Sequence, residues 1–115
     1  MAALAPNLIP AGTTAPANVQ VTNVIVHALA LVVNISAFTS GTVTVSVSGQ
    51  TASGYPYPII TSAALAATGT TVLRIGQALT AVANTTVNDL VPQNLLITVS
   101  GAFVATYGID AVWNI

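Results

Sequence analysis

The chain has 115 residues, of which 54% are hydrophobic and 3% charged, with a net charge of -1; a soluble domain ordinarily has about 25% charged residues. This length suits one domain around one core. So little positive charge cannot neutralise nucleic acid phosphates or anionic lipid headgroups, and the lack of cysteine excludes a disulfide framework.

Residues 1–18 read as an extended N-terminal arm. Pro6, Pro10 and Pro16, with Gly12, Thr13 and Thr14 between them, forbid a regular helix. Leu4, Leu8 and Ile9 are then apolar residues on extended backbone. The arm is expected either to be an unordered terminus or to dock on a neighbouring subunit through those three side chains. Its opening, MAALAPNLIPAGTTAP, has neither the basic start nor the apolar run of a secretory signal.

From Val19 onward the dominant signal is a period of two with β-branched residues throughout. Strands are expected over 19–28, 29–38, 42–48, 59–65, 70–75, 95–100 and 102–113. The apolar run VIVHALALVV, 24–33, contains His27 and is too short for a membrane-spanning helix, which needs about 18 residues or more. His27 falls in phase with Leu29 and Leu31, so it reads as a core or interface histidine. Turn signals at 39–41, 67–69 and 100–101 read as hairpin connections. Within TVTVSVS, 42–48, Val43, Val45 and Val47 form one face, and the other holds only hydroxyls. Such an uncharged strand needs shelter, either in the middle of its sheet or against a neighbouring subunit. Thr44→Lys is accordingly expected to spare the fold and weaken assembly.

The YPYP stretch from Tyr55 to Pro58 must be a loop or a strand edge, because proline cannot donate to a ladder. Tyr55 and Tyr57 would form a subunit contact there, or a sugar-stacking platform. Residues 76–94 read as a long crossing connection with room for one helical turn. Seven or eight short strands at roughly ten-residue spacing, with no amphipathic helix, give an all-β fold. It is an antiparallel β-sandwich or jelly-roll-like barrel over 19–115, with the arm in front of it. A stacked solenoid is the alternative, but the only internal likeness is among TVTVSVSG, TGTTVLRIG and LLITVSG.

The residues that carry chemistry are few: His27, Arg74, Asp89, Asp110 and the termini. One histidine without a marked nucleophile does not make a triad. Two carboxylates over twenty residues apart could meet as a glycosidase pair, but the NDL context of Asp89 and the strand context of Asp110 favour capping or solvated roles. A single histidine and two separated Asp residues are too few for a metal site. No catalytic residue, cofactor or metal is therefore expected, and neither nucleic acid nor a membrane is expected as a partner. Arg74 is expected to bridge to Asp89, Asp110 or the C-terminal carboxylate, within the chain or between subunits. Asn34 and Asn84 stand in Asn-x-Ser/Thr sequons, which matter only in a eukaryotic secretory pathway. Phe38, Phe103 and Tyr107 are most simply core residues.

The order of strands and turns in LVVNISAFTSGTVTVSVSGQ, 31–50, and IITSAALAATGTTVLRIGQALTAVANTTVNDLVPQNLLITVSG, 59–101, resembles small β-sandwich virion proteins of tailed bacteriophages. These include capsid decoration (cement) proteins and small neck or tail components. The resemblance spans residues 31–101, about three-fifths of the chain, and implies a non-enzymatic structural protein made in the bacterial host cytoplasm. With the uncharged composition and the arm, it points to the virion capsid surface. There the protein would bind the phage major capsid protein as a homo-oligomer, a trimer at threefold positions, and stabilise the head. Two other readings stand beside it. One is a tail, neck or receptor-binding tip module with Tyr55 and Tyr57 at its site. The other is an extracellular fibre or adhesin subunit that uses the arm as a donor strand.

Overall fold

Alternation at a period of two gives each strand one apolar and one outward face, and two such sheets bury their apolar faces against each other. The computed structural model describes residues 7–22, 26–77 and 79–114. Its strands are β1 (Asn7–Thr13), β2 (Ala17–Val21), β3 (Ala28–Gly41), β4 (Thr44–Gln50), β5 (Pro56–Thr61), β6 (Gly69–Gly76), β7 (Thr86–Asn88), β8 (Leu95–Ser100) and β9 (Phe103–Asn114). They form a five-stranded sheet in the order β1-β9-β3-β6-β7 and a four-stranded sheet in the order β2-β8-β4-β5. Every pairing is antiparallel except β6 with β7. The fold is the expected all-β sandwich, not a solenoid.

The core lies between the sheets. Leu29, Leu31, Val33 and Ile35 of β3 face Val45 and Val47 of β4, joined by Leu73, Ile75, Leu95, Ile97, Val99, Tyr107 and Ile109, all 3% exposed or less. Each fully buried aliphatic side chain of this kind contributes roughly 1.5–3 kcal/mol. Tyr107 belongs to this core as expected, whereas Phe38, Phe103 and Trp113 are partly buried against it.

The arm does not stand apart from the domain. From Asn7 it is extended as expected, but it pairs with β9 of its own chain and places Ile9 in the core at 2% exposure. Ile9 is therefore an interior residue and not a subunit contact; Leu8 packs against the same core, and Leu4 lies outside the described residues. The chain then crosses from the edge of one sheet to the edge of the other between β1 and β2. Tyr107 pins this crossing, its hydroxyl donating to the Ala15 carbonyl at 2.6 Å. Phe103 meets the Tyr107 ring edge-on at 5.8 Å.

Burial raises the Tyr107 hydroxyl pKa above its ordinary value of about 10. A raised acid favours the neutral phenol in the folded state. Its contribution is therefore whole below about pH 10 and is lost as pH climbs through the folded-state value. Tyr107→Phe should lose about 1–2 kcal/mol at neutral pH, because the Ala15 carbonyl loses its donor. It should also lack this component of alkaline destabilisation, as urea melts at pH 7 and pH 11 would register.

The three expected hairpins are all something else. The turns at 39–41, 67–69 and 100–101 each carry the chain from one sheet to the other. Glycines at positive φ serve a sheet-to-sheet corner as readily as a hairpin, and a period of two does not say which sheet the next strand joins. Bulges in β3 between Ile35 and Ala37 and between Phe38 and Ser40 bend its end before the corner. The β3–β4 and β8–β9 corners touch, with Gly41 against the Ala102 carbonyl and Gly101 against that of Thr42. The only antiparallel hairpin among the described strands joins β4 to β5.

Three further expectations change. The first strand stops at Val21, and His27 is exposed ahead of β3 rather than in the core; residues 23–25 lie outside the described set. Residues 76–94 hold the short parallel strand β7 and a turn at Asn84 (φ 64), with no helix among the described residues. Beyond Thr61 the chain leaves the ladder, and Ser62 takes over. Val45 N–H donates to Ser62 Oγ at 2.9 Å, and that hydroxyl donates to the Ala63 carbonyl at 2.8 Å. Ser62→Ala should cost about 1–3 kcal/mol by stranding the buried Val45 N–H, read from the urea midpoint at constant m-value.

Candidate interaction surfaces

The two outer faces differ in chemistry. On the four-stranded sheet, Thr44, Ser46 and Ser48 of β4 lie beside Ser100, Thr98 and Leu96 of β8, with Asn18 and Gln20 of β2 in the same rows. Gln20 Nε2 donates to Gln50 Oε1 at 2.8 Å across this face. It is a surface of hydroxyls and amides without charge. Because β4 lies between β8 and β5, the TVTVSVS strand is sheltered in the middle of its sheet, the first of the two expected alternatives.

Tyr55 and Tyr57 do not form a common platform. Tyr57 pairs with Gly49 on β4, and its ring occupies the space where a Gly49 side chain would project. Tyr55 stands alone at 71% exposure. Pro56 and Pro58 make β5 an edge strand, as YPYP requires.

The outer face of the five-stranded sheet is apolar at its centre. Register places Arg74, Ala30 and Val112 in one row across β6, β3 and β9, and Val72, Val32 and Asp110 in the next. Val112 is 60% exposed, and Val104 further along β9 is also 60% exposed. Arg74 and Asp110 are exposed, and neither has an ion-pair partner among the described residues. A shallow groove of about 260 Å³ at the end of this face is lined by Ala30, Arg74, Val112, Leu79 and Trp113, among others.

The remaining chemistry-bearing groups are dispersed. Asp89 accepts the Leu90 N–H at 2.8 Å, a local capping role. It follows β7, three strand spacings from Asp110 on β9. That is about 14 Å, beyond the roughly 9.5 Å upper limit of a glycosidase pair. Among the described residues no group of three or more His, Cys, Asp or Glu could hold a metal ion. No buried side-chain N or O among them lacks a hydrogen-bond partner and points into a cavity.

Sequence reasoning overlooked Ser62 and the apolar outer face. The face had a signal: ALALVV, 28–33, is apolar at both parities, a pattern expected of a strand covered on both sides. In comparisons with known proteins, no family model, no curated protein and no solved structure matches the chain.

Proposed function

We propose that the chain is a non-enzymatic structural subunit of a tailed-bacteriophage virion, a decoration protein that binds the major capsid protein as a homo-oligomer. The observation that carries this reading is the outer surface. Two sheet faces expose valines, hydroxyls and amides, and Arg74 and Asp110 are the only charged side chains on them. A free monomer relies on surface charge to stay apart from its copies, whereas a subunit held in an assembly covers such faces by contact. The order of strands and turns in residues 31–50 and 59–101, similar to that of small phage virion proteins, supplies the setting. In this reading the hydroxyl face around Thr44, with the exposed Tyr55 near its edge, meets the capsid shell.

Mass spectrometry of purified virions, with copy number per particle, tests the proposal. Hundreds of copies support a shell component. A few to dozens would move the protein to the tail or neck, and its absence from particles would overturn the virion reading.

A further inference from the structure

We infer that the outer face of the five-stranded sheet binds the same face of a second copy about a two-fold axis, with Arg74 of each copy set against Asp110 of the other. The inference rests on the self-association part of the proposed function and not on the particle.

The face is self-complementary. Two of the three charged side chains of the whole protein lie on it, one positive and one negative, at diagonal corners of a patch otherwise made of Ala30, Val32, Val72 and Val112. Arg74 and Asp110 are two strand spacings apart across the sheet and one inward-outward repeat apart along it. That is about 10 Å by about 7 Å, and among the described residues neither is paired. A two-fold axis between the faces, crossing β3 midway between Ala30 and Val32, exchanges the two corners. Each copy then presents Arg74 where the other presents Asp110, forming two equivalent ion pairs around an apolar centre. This is the isologous arrangement of most homodimers. Ala30 and Val32 at the centre are short, so the sheets can close to the roughly 10 Å of face-to-face packing.

The covering sheet also accounts for the ALALVV run. Leu29, Leu31 and Val33 are buried inside, while Ala28, Ala30 and Val32 face outward half-buried. A strand apolar on both faces is ordinarily covered on both.

Edge-to-edge growth, the other route by which sheets associate, is obstructed at three of the four edges. β1 contains Pro10 and two register shifts, β5 contains Pro56 and Pro58, and β7 has only three residues. The fourth edge, β2, is five residues long. Association therefore goes through a face, and the apolar face is the one with matched charges.

Charge exchange tests the pairing. Wild type, Arg74→Asp, Asp110→Arg and the double variant are compared by sedimentation equilibrium, with far-UV circular dichroism to confirm the fold. The wild type should be dimeric at micromolar concentration. Each single variant opposes like charges at both corners and should weaken the dimer at least about 100-fold. The double variant should return to within about tenfold of the wild type. Val112→Lys, at a side chain already 60% exposed, should dissociate the dimer without using either charge, and it decides the matter if a charge variant misfolds. A wild type monomeric at about 100 µM overturns the inference. So does association that ignores the single variants, or a double variant that does not recover. Failure here with the protein still present in virions removes only the pairing. Intact pairing with virions lacking the protein removes only the proposed function.

Discussion

Val45→Lys should leave the chain unfolded, while Thr44→Lys, one residue earlier, should fold with a stability within about 1 kcal/mol of the wild type. The two positions differ only in the parity of β4. Val45 is 0% exposed at the centre of the core, and its partner across β8 is Val99. A lysine there must bury its ammonium or give up its proton, and its longer stem overfills a packed site; each costs several kcal/mol. A domain of this size is stable by only about 5–15 kcal/mol in total. Thr44 points outward beside Ser100, where a lysine reaches water. Loss of amide dispersion in a proton–nitrogen NMR spectrum of Val45→Lys, and its retention in Thr44→Lys, is the expected result. Thr44→Lys lies on the opposite sheet from Arg74 and Asp110, so it should keep the proposed two-fold pair and weaken only the proposed attachment to the capsid.

Gly41→Ala should cost about 2–5 kcal/mol. Gly41 has φ 85, a conformation that costs an L residue about 1–2 kcal/mol. Its added Cβ would overlap the Ala102 carbonyl oxygen and come within 2.7 Å of the Phe103 Cα. Both atoms are backbone of the neighbouring corner, so neither can swing away as a side-chain tip could, and the overlap adds about 1–3 kcal/mol. Gly54→Ala is the matched control. Gly54 has φ 88, but a Cβ there would meet nothing within 4 Å, so only the conformational part should be lost. Urea melts of the two variants separate the corner contact from the backbone preference. Equal losses would mean that the two corners part freely.

The architecture was legible where burial enforces alternation. Val43, Val45 and Val47 are at most 1% exposed, as a period of two requires, and β8 has the expected bounds of 95–100. The connections were not legible. Gly41, Gly69 and Gly101 mark places where the chain turns, yet the choice between hairpin and corner depends on which sheet receives the next strand. That choice is made by contacts far apart in sequence, such as Leu31 with Ala111 and Val45 with Val99. The fate of the arm was hidden for the same reason. Its prolines show extended backbone, but the partner of Ile9 is Ile109, a hundred residues away. Of the residues considered for contact, Arg74 was identifiable as the only cation. Its setting among Ala30, Val32, Val72 and Val112 emerges only from the register of three strands. The same register puts Asp110 on that face, two strands from Arg74.

In the proposed pair, the outer face of the five-stranded sheet, with Arg74 and Asp110 at its corners, is covered by a second copy. A crystal structure of the associated protein tests this most directly. Two five-stranded sheets should lie face to face about a two-fold axis, with Val32 near that axis and the Arg74 guanidinium within about 4 Å of the Asp110 carboxylate of the other copy at both ends. An assembly in which this face lies open to solvent, with Arg74 and Asp110 both unpaired, would contradict it.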